Sequence, residues 1–216
     1  MLNLDSTSVV CVDTVNAERA LNSLDVSCAN IKFKECILFT HLHDFDILPF
    51  KNILDKIKII YVQKMDKIGY SEFIIKELYK YVTGNHCLIV QHDGYVIDHL
   101  MWRDEFLTVD YIGAPWPPEW GFKNRVGNGG FSLRSKKFME HSVQILGDFD
   151  FRGDFDLRDR SYLLNEDYLI TNCCYDKLSG LGMRFADVEL ASWFSNEYPV
   201  PEMKDRTFGV HDIWFQ

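Results

Sequence analysis

The sequence predicts an α/β domain in which a mostly parallel central sheet is flanked by helices, and three observations carry that prediction. Short runs of β-branched and apolar residues alternate with stretches whose apolar residues recur at helical spacing. One such run, CLIV at 87–90, is apolar without a break, as in a strand buried on both faces. It leads to Asp93-Gly94, an acid and a glycine where open α/β sheets bind their ligands. With 216 residues, 47% hydrophobic and 25% charged, the chain fits a single domain over 1–216 with a substantial core.

Taken in order, the run 8–13 (SVVCVD) reads as a first strand ending in Asp13-Thr14. Asn16 is suited to cap a helix over 17–24. A second strand is predicted over 31–40. It leads into the polar knot His41-Leu42-His43-Asp44-Phe45-Asp46. A third strand is predicted over 57–62 and an amphipathic helix over 71–82, with Ile74, Ile75, Leu78, Tyr79 and Val82 on one face. The strand at 87–90 follows. Repeated β-α units with short connections imply right-handed crossovers, which gather the strand ends at Asp13, Thr40, Val62 and Asp93 on one edge. The functional site is expected there.

Beyond residue 100 the pattern predicts a short helix over 102–107 and a strand over 111–114. The loop Pro115-Trp116-Pro117-Pro118-Glu119-Trp120-Gly121 follows, because prolines exclude a helix interior or a central strand. Asn128-Gly129-Gly130 precedes an alternating strand at 131–134 and a helix striped by Met139, Val143 and Leu146. A helix is expected from Asn165 to about residue 178, and two short strands over 185–195. The charge-dense segment 147–160 was compared with a calcium loop starting at Asp148. Arg152 occupies a ligand position and Asp159 stands where a bidentate Glu belongs, so a solvated loop able to close over a ligand is the better reading.

Composition limits the partners. A net charge of -9 argues against a surface that grips nucleic acid or anionic lipid. Six cysteines without CxxC spacing read as reduced thiols of an intracellular protein. No leader and no apolar run of about 18 residues is present, so neither export nor a membrane span is expected and the protein is assigned to the cytoplasm.

Several residues carry two readings. Asp93 is a candidate ligand for a hard cation or part of a plain Asp-Gly turn. Trp116 and its neighbour Trp120 either offer faces for stacking on a sugar or base, or fill the core beneath their loop. Gly129-Gly130 admits a ligand close to the backbone or makes a tight turn. Glu166 and Asp167 stand in a first helical turn, where the macrodipole favours acids in any case. His211, beside a glycine, is ordinary surface or folds back to complete a metal site.

The strings QHDGYV, DYIGAPWP, VGNGGFSLRS, NED and FGVH, in that order, resemble a widespread domain family of bacterial and viral proteins related to the nucleotide-sugar glycosyltransferases of the GT-A fold. The resemblance covers about 71–211. It implies a nucleotide-binding half, 1–98, and an acceptor-binding half with a C-terminal tail, 99–216. GT-A enzymes carry a DxD motif whose last Asp binds Mn2+ or Mg2+ on the donor diphosphate. The matching triplet here is Gln91-His92-Asp93, with only the last acid kept. Asp93 and His211 are thereby implied as metal ligands, and Gln91 and His92 as donor contacts; Asp13 and Thr14, at the end of the first strand, lie where such folds contact the nucleotide, on topology alone. Trp116, Asn128, Gly129 and Gly130 fall on the acceptor side, with Asp167 as the implied catalytic base and Glu166 second. The resemblance implies a hexosyltransferase-like enzyme taking a UDP or GDP type sugar donor and a glycan acceptor, as in polysaccharide biosynthesis.

Two rival classes remain open. A catalytically silent domain that binds a nucleotide sugar or glycan is consistent with Gln91 in place of the first acid. A metal-dependent hydrolase is suggested by His41 and His43, but Phe45 and Asp46 stand where an HxHxDH arrangement needs Asp and His.

Overall fold

The computed structural model of the chain describes residues 1–153 and 165–212. Residues 1–90 build four strands and two helices. These are β1 (Leu2–Val12), α1 (Ala17–Cys28), β2 (Ile31–Thr40), β3 (Ile57–Tyr61), α2 (Lys67–Lys76) and β4 (His86–Val90). After β4 come β5 (Gly94–Val96), β6 (Tyr111–Gly113), β7 (Ser132–Ser135) and α3 (Lys136–Leu146). The chain continues through α4 (Glu166–Tyr168), α5 (Tyr175–Gly180), α6 (Val188–Phe194), β8 (Ser195–Asn196) and β9 (Gly209–His211).

Among the described residues the strands form a six-stranded sheet of order β3-β2-β1-β4-β7-β6 and a small sheet of order β5-β9-β8. The neighbours β3, β2, β1 and β4 run parallel, whereas β7 is antiparallel to both β4 and β6. This is the mostly parallel, helix-flanked α/β sheet of the sequence prediction.

Strand periodicity explains why both faces are covered. In β1, Val9 and Cys11 pack with Ala20, Leu21 and Leu24 of α1. Val10 and Val12 point the other way, into a cluster with Phe73 and Ile74 of α2 and Met139 of α3. These side chains are fully or almost fully buried, each worth about 1.5–3 kcal/mol for the larger aliphatics and aromatics. Asn16 caps α1 by accepting from Arg19 N at 3.0 Å, and Asp66 caps α2 by accepting from Gly69 N at 2.8 Å. Among the described residues all six cysteines are free thiols. Among them, too, no helix is long and apolar enough to cross a membrane.

Some elements differ from expectation. The helix predicted over 71–82 starts at Lys67 because Asp66 provides the cap, and gives way to a 3-10 turn at Leu78–Lys80. Its apolar face survives, since Ile74, Leu78 and Val82 share one cluster. The predicted helix over 102–107 is two 3-10 turns, His99–Met101 and Asp104–Thr108. The helix expected from Asn165 to about residue 178 is interrupted by a π turn at Leu169–Cys173, closed by Cys174 N donating to Leu169 O at 2.9 Å. The two strands expected over 185–195 are replaced by α6. Asp187 accepts from Leu190 N at 2.7 Å and so starts a helix there. Of the calcium-loop comparison, everything from residue 154 on lies outside the described residues.

Candidate functional site

The strand β4 delivers the chain into a tight turn. Gln91 and Gly94 exchange backbone hydrogen bonds of 3.0 Å each, so His92 and Asp93 occupy the corner of a two-residue hairpin. Ser23 of α1 fixes this corner by donating to Gln91 O at 2.6 Å. Asp93 is therefore in a turn and also on the edge where the parallel strands end. Because β1 and β4 are adjacent, Asp13 comes beside it. The His92 ring lies between the two acids, with Nδ1 3.6 Å from Asp13 Oδ2 and Nε2 3.4 Å from Asp93 Oδ2. Thr14 is committed to the scaffold, since its hydroxyl donates to Met65 O at 3.2 Å and accepts from Met65 N at 3.0 Å.

The chain returns to this corner 120 residues later. Strand β9 pairs antiparallel with β5, placing His211 opposite Gly94. His211 Nε2 then lies 3.6 Å from Asp93 Oδ1 and 3.2 Å from Gln91 Oε1. Gln91 donates through its amide nitrogen to Tyr70 Oη at 2.7 Å, which turns its oxygen toward the imidazole. Asp93 Oδ1 is buried and has no hydrogen-bond partner. Its neighbour Asp212 holds a left-handed backbone, φ 37°, and donates its N–H to Asp93 O at 3.0 Å.

Glycines make room for this convergence. A Cβ at Gly130 would overlap the His211 ring, and one at Gly129 would overlap the Glu166 carboxylate. The pair thus seats an imidazole and an acid against the backbone rather than leaving open space. Asn128 is buried beneath them, where its Oδ1 accepts from Phe131 N at 3.1 Å.

Behind His211 stands Glu197, a buried residue for which no local pattern in the sequence gives a signal. Glu197 Oε1 is 3.1 Å from His211 Nδ1, and the Asn128 amide nitrogen is 2.9 Å from the same atom. One ring nitrogen cannot donate to the acid and accept from the amide at once. The Asn128 amide also hydrogen-bonds Glu197, so the consistent assignment has Nδ1–H and the Asn128 amide both donating to the carboxylate. Burial lowers the His211 pKa, but the Glu197 hydrogen bond and the charges of Glu197, Asp93 and Asp212 outweigh it and hold it above the ordinary value. Burial raises Glu197 against the pull of His211.

Glu166 and Asp167 part ways. Glu166 turns down onto Arg134, in an ion pair whose members are 5% and 2% exposed, and accepts there from Arg134 NH2. Asp167 faces the cavity, with Oδ2 accepting from Gly129 N at 3.1 Å and Oδ1 from Tyr168 N at 2.7 Å. Burial first, then the charges of Glu166 and Glu197, push its pKa up to about 8 against the opposing effects of the Tyr168 N–H and Arg134.

Asp93, His211 and Asp167 line a cavity of about 650 Å³, together with Gln91, Asn128 and Gly130. Trp116 contributes to its wall but is only 5% exposed, whereas Trp120 is 42% exposed. A smaller cavity of about 270 Å³, lined by Asp13, Thr14, Val15 and His92, shares Lys67, Tyr70 and Gln91 with the larger one. The knot at 41–46 lies elsewhere. His43 stacks on Tyr61 with ring centroids 4.2 Å apart. Among the described residues no three His, Cys, Asp or Glu side chains form a ready-made metal cluster.

The donor set nonetheless suits a divalent cation. Gln91 Oε1, Asp93 Oδ1 and His211 Nε2 converge on one point, one of them an orphaned carboxylate oxygen, and Nε2 becomes a third donor atom when its proton is lost. Oxygen and imidazole donors together are what Mn2+ accepts.

The fold is shared with solved structures. A glycosyltransferase involved in the glycosylation of the major capsid of PBCV-1 aligns over 97% of this chain and 94% of its own, at 12% identity and TM-score 0.52. A mannosyltransferase from Pyrobaculum calidifontis, in complex with GDP-Man and Mn2+, aligns over 94% of this chain at 11% identity and TM-score 0.48. S. aureus TarS aligns over 63% of it at 14% identity and TM-score 0.45. This chain spans 58% of the mannosyltransferase and 48% of the TarS chain. No curated protein matches it. The stretch that carries the Gln91 to Gly94 corner, the glycine pair and the returning histidine falls inside one family model, matched over residues 56–211, and the chain belongs to that family, described as Protein of unknown function (DUF5672).

Proposed function

We propose that the protein is a glycosyltransferase that moves a sugar from a nucleoside diphosphate sugar to a hydroxyl of a glycan, with Mn2+ or Mg2+ on the donor diphosphate. One observation carries this reading: the Asp93 and His211 pair and the half-buried carboxyl of Asp167 face the same cavity, at the ends of parallel strands. The fold shared with the viral glycosyltransferase supports it.

The two adjoining cavities fit a donor that spans them. The nucleoside would occupy the smaller, against Asp13 and Val15, and the sugar would enter the larger past Gln91. Asp93, His211 and the oxygen of Gln91 would hold the cation, whose charge stabilises the departing diphosphate. Glu197 keeps the His211 proton on Nδ1 and leaves Nε2 free to ligate. Asp167, once ionised, accepts the proton of the acceptor hydroxyl as that oxygen bonds to the anomeric carbon. The bond from that carbon to the diphosphate breaks with its electron pair leaving on the nucleotide. Glu166, neutralised by Arg134, supports Asp167 rather than acting on substrate.

The test is thermal unfolding with UDP, GDP, CDP and dTDP, with and without Mn2+, on the parent, Asp93→Ala and His211→Ala. A nucleotide at 100 times its dissociation constant stabilises by about 2.7 kcal/mol. A metal-dependent shift for one nucleotide, lost in both variants, is expected. No shift under any condition would overturn the donor site. A second reading, binding without turnover, is favoured by the raised pKa of Asp167, which leaves its carboxyl mostly protonated at neutral pH. A metal-dependent shift without sugar release to any acceptor between pH 7 and 9 would select it.

A further inference from the structure

The large cavity has two unlike ends. Around Asp93 and His211 it is polar. Beyond Asp167 its wall is aromatic, made by Phe122, Tyr168, Trp120 and Tyr198. These rings form a continuous cluster: Phe122 meets Tyr168 at 5.0 Å between centroids and Trp120 at 5.4 Å, and Trp120 meets Tyr198 at 4.9 Å, all at steep angles. Edge-to-face packing of this kind holds each ring by its neighbours and keeps its orientation fixed.

Trp120 is the exposed member. It ends the 3-10 turn Pro118–Trp120, and Gly121 then reverses the chain with φ 66°, a backbone that an L side chain rarely adopts. Three prolines before it stiffen the loop. Trp116, the other indole of the loop, is packed beneath, and a Cβ on Gly127 would overlap its ring. The loop thus uses one tryptophan as an anchor and presents the other at the cavity rim.

The charges at this end are one-sided. Asp167, Glu197 and Asp212 line the cavity, and among its described lining residues Lys67 is the one Lys or Arg. Burial first, and then the neighbouring Glu197, Asp212 and Asp167, raise the pKa of the Tyr198 hydroxyl. An anionic group brought onto Trp120 would meet the charges of Glu197 and Asp212 beside Tyr198, and that of Asp167 once it ionises.

Resting on the glycosyltransferase reading, we infer that Trp120 and Tyr198 form the acceptor subsite, and that the acceptor is an uncharged saccharide. One C–H face of its ring stacks on Trp120 while a hydroxyl on its edge reaches Asp167. Uronic acids and phosphodiester-linked chains are disfavoured by the acidic wall. The substrate class is therefore a neutral glycan.

Saturation-transfer NMR on the full chain tests this, with methyl hexopyranosides and the corresponding methyl hexuronosides as probes. The parent, Trp120→Ala and Trp120→Phe are compared, and each variant is also assayed for the nucleotide-induced thermal shift with Mn2+. Saturation is expected on one face of the neutral rings, at least tenfold weaker for the uronates, lost in Trp120→Ala and kept in Trp120→Phe. The nucleotide shift should be the same in all three. Equal binding of uronates, or neutral binding untouched by Trp120→Ala, overturns the inference while the donor reading stands. A nucleotide shift that disappears in Trp120→Ala assigns the indole to the donor and also overturns it. Absence of any nucleotide shift in the parent removes the transferase reading, and with it the acceptor role.

Discussion

Replacing Asp167 by Asn should make the protein more stable as the pH rises, and inactive in transfer. In the unfolded chain this carboxyl titrates near the ordinary 3.8, and in the folded protein near 8. Between those values the folded state holds a proton that the unfolded state has released. The stability contributed by Asp167 is therefore complete below about pH 4 and is lost as pH rises through 8, at about 1.4 kcal/mol per pH unit. From pH 5 to 7 the parent should lose about 3 kcal/mol through this group alone. The Asn side chain does not titrate. It keeps one of the two N–H groups of Gly129 and Tyr168 on its single oxygen, so the lost bond costs about 1 kcal/mol at every pH. Urea unfolding of both proteins at pH 5, 6, 7 and 8 reads the difference. The gap should move in favour of Asp167→Asn by about 3 kcal/mol between pH 5 and 7 and level off above 8. Parallel pH dependences would refute the reasoning, because they would mean that the Asp167 carboxyl is ionised throughout. The same titration sets the sign for catalysis: with the ionised form active, transfer by the parent should rise about tenfold between pH 7 and 9.

Glu197→Gln should weaken Mn2+ binding by about 10–100-fold, as read by electron paramagnetic resonance, because it removes the carboxylate that orients His211; unchanged affinity would make Glu197 a packing residue. Gly130→Ala places a methyl group on the His211 ring, so loss of the Mn2+-dependent nucleotide shift is expected, and a retained shift would show that His211 is not needed for it. Arg134→Met strands the buried Glu166 carboxylate, and chemical denaturation should show a loss of about 3–5 kcal/mol, much of it recovered in Arg134→Met/Glu166→Leu.

Where residues act through their immediate neighbours, the sequence was readable. The β-branched runs at 8–12 and 31–40, and the apolar run at 87–90, are strands because a two-sided sheet needs apolar residues on both faces. Asn16 announced its helix by standing just before it. Segment 185–195 was misread because Val188, Leu190 and Ser192 alternate with Glu189, Ala191 and Trp193 as plausibly for a strand as for two turns of helix, and the cap at Asp187 decides between them. The break at 169–173 has no sequence signal, since a π turn depends on which carbonyl the Cys174 N–H reaches. The closeness of Asp93, His92 and Asp13 follows from adjacent parallel strands and was anticipated by topology. Glu197 was invisible: an isolated acid in a polar stretch acquires meaning only when the chain folds it behind an imidazole. The proline loop showed two tryptophans but not which one is buried, because that depends on Gly127 packing against Trp116.

The pairing of β9 with β5 also bears on the order in which the molecule is made. Strands β1 to β4 and their helices are contiguous, so a chain emerging from the ribosome N-terminus first can begin that framework early, and local contacts form fastest. The imidazole that faces Asp93 belongs to a strand separated from it by more than half of the chain, and closing so long a loop is entropically costly until the rest of the sheet is in place to receive it. The contact between Asp93 and His211 is accordingly among the last to form. A nascent chain that has completed β4 but not β9 carries the framework without the imidazole that faces Asp93, and that contact can form only once synthesis has passed residue 211.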